Sequence, residues 1–320
     1  MLILGHDDVL AALSPADCAD AMAAVLAARA RGEALMPLRT AIPFEGAAGF
    51  MAVMPAWRGG EDPMFSLKSL CIMPGNPARG LDTHQGTVTL FDGSTGQPRA
   101  ILDASAVTAV RTAAVSAVAT RELARSDARV LAILGAGVQG RAHLTALSPV
   151  REFDEVRVYS PSREHAQALA DGRASVVPSA EAAVRGADVV VLATSSREPV
   201  ISRDWLSPGA HVNAVGASVP SSRELDVETV RACALFCDSR ESLRHEAGEF
   251  RLAVEEGAIT GEEHVRGELG EVLAGMADGR RSADELTVFR SLGLAVEDLA
   301  AAERAVGVAR ERGIGVEVKL

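Results

Sequence analysis

Two kinds of residue in this sequence could carry chemistry: closely spaced glycines behind an apolar segment, and single cations inside apolar segments. The glycines form the motif Gly135-Ala136-Gly137-Val138-Gln139-Gly140, directly after the apolar residues Val130–Leu134. In such a motif the first glycine permits a tight turn, the second lets backbone N–H groups approach a pyrophosphate, and the third lets helix and strand pack closely. We therefore predict that residues 135–140 bind a dinucleotide.

The residues after the next strand, Glu155–Tyr159, bear on which dinucleotide binds. An NAD-preferring site usually places Asp or Glu there for the ribose 2′-hydroxyl, but this chain has Ser160, Ser162 and Arg163. Two hydroxyls and a guanidinium could bind a 2′-phosphate through charge-assisted hydrogen bonds. The sequence therefore favours NADP(H). The alternative is NAD(H), with Arg163 only a surface residue of the next helix.

Two further segments follow apolar strands and are expected to lie at the carboxyl ends of a parallel sheet, where a dinucleotide crosses. Thr194 and Ser195 follow one strand, and Val215-Gly216-Ala217 follows the next. We predict that both segments contact the cofactor, the second near the nicotinamide. The alternative for each is an ordinary turn at a strand end.

Three cations interrupt apolar segments: Arg39, Lys68 and Arg111. A charged group on a buried face is costly unless it is paired. The three side chains therefore either form internal salt bridges or converge on an anionic substrate. The pattern alone does not separate these interpretations.

The elements that must position these residues follow two different patterns along the chain. From residue 129 onward, short apolar strands alternate with helical segments, which predicts a Rossmann-type, doubly wound α/β domain with a parallel sheet covered on both faces. Its six predicted strands are 129–134, 155–159, 175–177, 188–194, 211–215 and 234–238. We place this domain at residues 121–295.

The first 120 residues predict an α+β domain with an antiparallel sheet. A helix begins at Ser14-Pro15, strands are predicted at 49–56, 64–71, 87–91 and 98–102, and a long helix follows at 104–123. A final helix at 296–312 and a terminal strand at 316–320 have no place in the parallel sheet. We therefore assign residues 296–320 to the first domain.

Composition excludes several classes of protein. The net charge of −11 and an aromatic content of 3% argue against nucleic-acid partners. No apolar run reaches the roughly 20 residues of a membrane span, and the N-terminus lacks the pattern of a signal peptide, so we expect a cytoplasmic protein. The four dispersed cysteines are expected to be buried thiols, and no metal site is predicted.

Several separated segments together resemble the ornithine cyclodeaminase/mu-crystallin family over nearly the full length. The matching segments are 36–39, the strand with Lys68, 84–86 with 90–92, 95–98, 111–114, the glycine motif, 215–217, 223–226 and 289–298. The resemblance implies a homodimer whose N-terminal domain supplies the substrate site and the subunit contact. It further implies that Arg39, Lys68 and Arg111 hold a substrate α-carboxylate, that Thr112 touches the cofactor, and that Leu292, within 291–293, lines the nicotinamide pocket.

One position departs from the family pattern. Cyclodeaminases carry an Asp where this chain has Ser218, and a serine lacks the negative charge that would orient an ammonium group. We therefore predict NAD(P)H-dependent reduction of a C=N bond next to a carboxylate, with Lys68 and Arg111 catalytic and Ser218 near the substrate. The alternatives are an ornithine cyclodeaminase with bound NAD, an alanine-type dehydrogenase, and a non-enzymatic dinucleotide-binding protein.

Four smaller expectations concern two histidines, Lys68 and two charged stretches. His84 either hydrogen-bonds within its own sheet or polarises the substrate, and His143 packs on the glycine motif. The guanidinium groups of Arg39 and Arg111 are expected to lower the pKa of Lys68, which suits a proton donor near neutral pH. The charged stretches at 240–256 and 304–312 are expected to form solvated helix faces or dimer rims.

Overall fold

A computed structural model describes residues 1–319; Leu320, the end of the predicted terminal strand, lies outside the described residues. The chain forms two compact units, one made of residues 1–111 together with the segment from Leu294 onward, the other of Thr112–Gly293. The boundary falls inside the continuous helix Ala104–Leu123, whereas the sequence placed it at residue 120. Arg111, the last residue of the helix on the first side of this boundary, is ion-paired with Glu297 and Asp298 of the same unit.

The first unit contains a mixed sheet of eight strands. The strands are β1 (Leu2–Leu4), β2 (Ala34–Leu35), β3 (Thr40–Pro43), β4 (Phe50–Arg58), β5 (Met64–Ile72), β6 (His84–Asp92), β7 (Pro98–Asp103) and β16 (Val316–Glu317). Their order is β16-β1-β7-β6-β5-β4-β2, with β3 also paired to β4. The predicted antiparallel pairing of β4 to β7 is confirmed. The expectation of a wholly antiparallel sheet is wrong, because β1 pairs in parallel with β7.

Four helices belong wholly or partly to the first unit. They are α1 (His6–Ala12), α2 (Pro15–Ala30), the start of α3 (Ala104–Leu123) and α11 (Ala295–Arg312). The predicted start of α2 is confirmed, since the Ser14 side chain accepts a hydrogen bond from the Asp17 backbone N–H. Helix α11 packs on α2 and on β4, β5 and β6 within the first unit.

The second unit contains a parallel sheet of eight strands. The strands are β8 (Val130–Leu134), β9 (Glu155–Tyr159), β10 (Ser175–Val176), β11 (Val189–Leu192), β12 (His211–Ala214), β13 (Ala234–Cys237), β14 (Val265–Glu268) and β15 (Thr287–Arg290). Their order is β10-β9-β8-β11-β12-β15-β13-β14. The six predicted strands are present, but the count of six is wrong: β14 and β15 were not predicted, and β15 lies between β12 and β13.

Helices cover both faces of this sheet, as predicted. They are α4 (Val138–Leu147), α5 (Arg163–Ala170), α6 (Ala180–Val184), α7 (Val227–Ala232), α8 (Arg240–Glu246), α9 (Gly248–Glu255) and α10 (Leu269–Leu273). Strand β11 shows why both faces need cover. Its Val190 and Leu192 pack into one apolar cluster, and Val189 and Val191 pack into the other. Alternate side chains of a strand point to opposite faces, so a strand buried on both is apolar throughout.

Three further features of residues 1–319 concern membrane spans, metal clusters and disulfides. No single helix in that range has both the length and the apolar composition to cross a membrane; the bent pair α1 and α2, at 82°, meets those criteria only jointly. The same range contains no cluster of three potential metal-ligating side chains. All four cysteines are free thiols: Cys18, Cys233 and Cys237 are buried as predicted, and Cys71 is half-buried.

Candidate functional site

The three glycines of the motif at 135–140 differ in backbone conformation and in the space around them. Gly135 has φ +108°, a conformation that side-chain-bearing residues rarely adopt. A Cβ on Gly140 would lie 2.1 Å from the Gly135 carbonyl oxygen, so close packing of α4 on β8 requires glycine. A Cβ on Gly137 would meet no neighbouring atom within 4 Å, which leaves the backbone there open to a ligand. Val138 and Gln139 then begin α4.

The end of strand β9 lies beside this motif, since the Gly135 N–H donates to the Tyr159 carbonyl at 2.9 Å. Ser162 caps α5 by accepting from the His165 backbone N–H. Arg163 is the first residue of α5 and is exposed, and Ser160 is half-buried. The structure therefore brings these three polar side chains to the strand end next to the glycine motif, where the sequence placed the ribose.

Helices α3 and α4 meet through a buried histidine. His143 Nδ1 lies 2.7 Å from the Gln139 carbonyl oxygen, and its Nε2 lies 2.9 Å from Ser116 Oγ. Burial lowers the pKa of His143 to about 4, so the imidazole is neutral near neutral pH. This confirms that His143 packs on the glycine motif. Thr112, also buried, lies one turn before Ser116 on the same face of α3.

Glu224, a buried carboxylate to which the sequence assigned no role, joins the ends of β11 and β12. Glu224 Oε1 accepts from the Thr194 backbone N–H and hydroxyl, both at 2.7 Å, and its Oε2 accepts from the Gly216 N–H at 2.8 Å. A Cβ on Gly216 would lie 2.0 Å from the Thr194 carbonyl oxygen, so the two strand ends are nearly in contact. Burial raises the pKa of Glu224, and the charge of Arg290 opposes that shift.

A buried arginine holds the next strand end. Arg290, at the end of β15, is ion-paired with Glu249 of α9. Its guanidinium also donates to the carbonyls of Ala214 (3.0 Å), Ser291 (2.8 Å) and Ala217. Glu249 is 2% exposed, so the expectation of a solvated helix face or dimer rim at 240–256 is wrong at this residue, because its charge neutralises buried Arg290.

A second buried carboxylate fixes the segment that the resemblance places at the nicotinamide. Asp238 Oδ2 accepts from the backbone N–H groups of Leu292 (2.6 Å) and Gly293 (2.7 Å). Strands β12 and β15 are neighbours, so Val215, Gly216 and Ala217 and this segment follow adjacent strand ends.

Ser195, exposed, and Ser218, half-buried, lie in the loops after β11 and β12. The Asn213 side chain donates to Thr120 Oγ1 at 2.9 Å within the same unit.

The first unit contains the cation cluster. Lys68 Nζ lies 2.8 Å from Asp298 Oδ1 and 2.6 Å from Thr108 Oγ1. Arg111 donates to Asp298 through Nε at 3.1 Å and to Glu297 through Nη1 at 2.7 Å. All of these charged side chains are buried. Of the two interpretations open from the sequence, internal salt bridges are therefore present for Lys68 and Arg111.

The charges of the cluster are also compatible with the second interpretation, in which the cations converge on an anionic substrate. Burial lowers the pKa of Lys68 to about 8; the charge of Asp298 raises it, and the charges of Arg111 and half-buried Arg39 lower it further. The predicted direction is confirmed, although burial has a larger effect than the guanidinium groups. The positive charges of Arg111 and Arg39 therefore act on Lys68, and an anion bound beside these side chains would favour the protonated lysine.

His84 lies at the edge of the same cluster. It begins β6 at the surface of the unit, where its backbone carbonyl accepts from the Ser105 hydroxyl. Partial desolvation and the positive charges of Lys68, Arg111 and Arg39 lower its pKa below the usual value. The imidazole is therefore neutral near neutral pH.

Known proteins share this fold. The model of the ornithine cyclodeaminase/mu-crystallin family matches residues 2–311. The ketimine reductase mu-crystallin of Mus musculus is 42% identical over 275 residues, which cover 85% of this chain and 84% of that protein. The structure of Thermococcus litoralis Delta(1)-pyrroline-2-carboxylate reductase in complex with NADH and L-proline gives a TM-score of 0.93 at 36% identity, covering 99% of this chain and 100% of that one.

An archaeal alanine dehydrogenase dimer with bound NAD gives the same TM-score of 0.93 at 36% identity, covering 100% of this chain and 99% of that one. The match therefore spans both units, including the segments that carry the glycine motif and the cation cluster, and it confirms the resemblance seen in the sequence. The chain belongs to the ornithine cyclodeaminase/mu-crystallin family.

Proposed function

We propose that this protein reduces a C=N bond adjacent to a carboxylate, with NAD(P)H as the hydride donor. The observation that supports this most directly is the buried Lys68, whose pKa of about 8 is lowered by burial and by the charges of Arg111 and Arg39. The relatives are named as a ketimine reductase and a pyrroline-2-carboxylate reductase, both of which fit this chemistry.

Each residue of the cluster has a proposed part in the reaction. Arg39 and Arg111 bind the substrate carboxylate and so hold the imine carbon in place for attack. The dinucleotide, when bound, supplies the hydride that this carbon receives. Lys68 gives a proton to the imine nitrogen, so the C=N double bond becomes a C–N single bond with one new C–H bond and one new N–H bond. Ser218, which is uncharged, suits a neutral imine better than an ammonium group.

The fate of cofactor and substrate distinguishes this function from its alternatives. The purified protein is incubated with NADPH or NADH and either pyrroline-2-carboxylate or piperideine-2-carboxylate, and oxidation of the cofactor is followed. Oxidation together with formation of the cyclic amino acid supports the proposal. Ammonia release from L-ornithine without net cofactor turnover would indicate a cyclodeaminase. Oxidation of L-alanine would indicate a dehydrogenase, and dinucleotide binding without turnover a non-enzymatic protein.

We further propose that NADP(H) is preferred, although the solved relatives contain NAD or NADH. The support is local: Ser160, Ser162 and the exposed Arg163 lie at the end of β9, where an NAD site would place a carboxylate.

Arg163→Ala tests this preference. A hydrogen bond to a charged group contributes about 1.5–3 kcal/mol, which corresponds to roughly tenfold or more in affinity. We expect kcat/KM for NADPH to fall by about that factor while kcat/KM for NADH stays constant. Arg173→Ala, at an exposed arginine just after α5, is the control. An equal loss for both cofactors, or none, would exclude a 2′-phosphate site here.

Gly137→Ala and Gly140→Ala separate cofactor binding from folding. An added Cβ has open space at Gly137 but would lie 2.1 Å from a backbone oxygen at Gly140. We expect Gly137→Ala to keep the wild-type melting temperature without cofactor and to bind dinucleotide at least about tenfold more weakly, because the methyl group occupies space that backbone–pyrophosphate contact needs. Gly140→Ala is expected to lower the melting temperature. Calorimetry measures both, and tight binding by Gly137→Ala would place the pyrophosphate elsewhere.

We also propose a homodimer in which the first unit supplies the contact. An apolar groove of about 500 Å³ on this unit is lined by residues including Leu35, Pro37, Trp57, Phe65 and Phe91. Leu35 and Phe65 are among its exposed apolar side chains, and the archaeal relative is described as a dimer. Large exposed apolar patches commonly mark protein interfaces.

The cytoplasmic location stays a prediction.

A further inference from the structure

The choice of cation at position 68 is unusual for this chain. Of its 32 lysine and arginine residues, 30 are arginine, and the two lysines are Lys68 and Lys319. A guanidinium is not deprotonated in proteins, whereas an ammonium group can release a proton. Position 68 thus carries the basic residue type that can act as an acid, and the side chains that hold its ammonium group then decide where that proton lies.

One oxygen atom holds both of the cations proposed to act on the substrate. Asp298 Oδ1 lies 2.8 Å from Lys68 Nζ and 3.1 Å from Arg111 Nε. Asp298 is fully buried, so water does not screen this contact. Its neighbour Glu297 contacts Arg111 and accepts from the Leu294 N–H at 3.1 Å, at the start of α11.

Thr108 provides a second contact for the Lys68 ammonium group. Its hydroxyl donates to the Ala104 carbonyl at 2.6 Å, so it receives the hydrogen bond from Lys68 as an acceptor. Asp298 and Thr108 therefore hold Lys68 from two helices, α11 and α3. Because a lysine side chain is long and flexible, such contacts fix the position of its proton.

We propose that Asp298 is a positioning residue for the reduction, whose single oxygen fixes the Lys68 ammonium group relative to the Arg111 guanidinium. This inference rests on the proposed function of the same cluster. A misplacement of about 1 Å can cost on the order of a hundredfold in rate. Without the Asp298 charge, the two cations would repel each other and separate.

The charges that face Lys68 come from several elements. Asp298 of α11 favours its protonated form, whereas Arg111 of α3 and Arg39, which precedes β3, oppose it. Two other titratable groups lie around the cluster and are neutral near neutral pH: His84 of β6, whose pKa is lowered, and Cys18 of α2, whose pKa burial raises. The carboxylate that contacts Lys68 is Asp298.

The test is Asp298→Asn, which keeps the shape of the side chain and removes its charge. Removal of an opposite charge in contact lowers the pKa of a lysine by about one to three pH units. We expect the pKa of Lys68 and the alkaline limb of the kcat/KM profile to move to lower pH together. Protein containing isotope-labelled lysine carries the label at Lys68 and Lys319 alone, so nuclear magnetic resonance reads the pKa of Lys68 directly, with exposed Lys319 as the reference.

Three further variants make the test specific. Glu303→Gln removes a carboxylate of the same helix that pairs with Arg58 at 2.6 Å, and we expect it to leave the Lys68 titration in place. Glu297→Gln is expected to raise KM through Arg111, with a smaller effect on Lys68. Asp298→Glu keeps the charge but moves it; we expect a pKa near the wild-type value and a reduced kcat, and this variant replaces Asp298→Asn if the amide variant does not fold.

The outcomes separate this inference from the proposed function. If Lys68 titrates alike in wild type and Asp298→Asn, and the alkaline limb does not move, the positioning role of Asp298 is wrong. If Asp298→Glu keeps the wild-type kcat, a fixed position is not required and the inference also fails. If the wild-type protein reduces no imine, the proposed function is wrong, while the Lys68 titration still tests the Asp298 contact.

Discussion

Lys68→Met is expected to lower kcat/KM for imine reduction by at least about thirtyfold. Truncating one partner of a buried, hydrogen-bonded charge pair costs roughly 2–5 kcal/mol, and each ~1.4 kcal/mol is a factor of ten. Lys68 is buried and is the proposed proton donor, and a positioned general acid contributes roughly 10²–10⁴-fold to the rate. Steady-state kinetics at saturating cofactor measures the loss. Lys319→Met, at an exposed lysine, should keep the wild-type rate.

The pH dependence of the same variant gives a second readout. The protonated form of Lys68 is required. Wild-type kcat/KM is therefore at its maximum below the Lys68 pKa of about 8 and falls as the pH rises through that value. Lys68→Met has no such group, and its residual activity should show no alkaline limb near that pH. A variant with wild-type efficiency, or with the limb unmoved, would contradict the assignment of Lys68 as the proton donor.

Arg290→Met is expected to lower the free energy of unfolding of the second unit by about 3–5 kcal/mol, the usual cost of breaking a buried ion pair. The change leaves the Glu249 carboxylate in the interior without its cation. For a domain of this size, that loss lowers the melting temperature by about 2–4 °C per kcal/mol. Chemical denaturation and calorimetry measure it. Arg231→Met, which breaks an exposed pair with Glu228, should change stability by less than about 1 kcal/mol.

A double variant decides whether the ion pair is the cause. Replacing both partners of a buried pair with apolar residues is often neutral or stabilising. Arg290→Met combined with Glu249→Met should therefore recover most of the lost stability. If it recovers none, the loss comes from the carbonyls of Ala214, Ala217 and Ser291, which lose their donors, and the ion-pair explanation is wrong.

Much of the fold could be predicted because local pattern determines it. Helix α3 has the predicted bounds, and β9 agrees to the residue, since each has a clear period and clear boundaries. Strand β15 was missed because Thr287 and Arg290 flank only two apolar residues, Val288 and Phe289. Its burial and its place between β12 and β13 depend on the whole sheet, which no local period reveals.

Only the cations of the candidate site were predicted, and the carboxylates that pair with them were not. Lys68 and Arg111 were identified because a charge interrupts an apolar segment, yet Glu297 and Asp298 do the same between Val296 and Leu299. Applied to carboxylates, that criterion would have indicated both. Their pairing with the cations joins positions 186 to 230 residues apart, a separation over which sequence pattern carries no contact information.

The late position of α11 in the chain has a consequence for biogenesis. At typical ribosomal rates of about 5–20 residues per second, the whole second unit emerges over roughly 10–40 s after Arg111 has been made. During that interval the nascent first unit carries Lys68 and Arg111 without the carboxylates that neutralise them. The second unit is continuous in sequence and can fold as it emerges. The ion pairs of the first unit, in contrast, can form only after Glu297 and Asp298 have been synthesised.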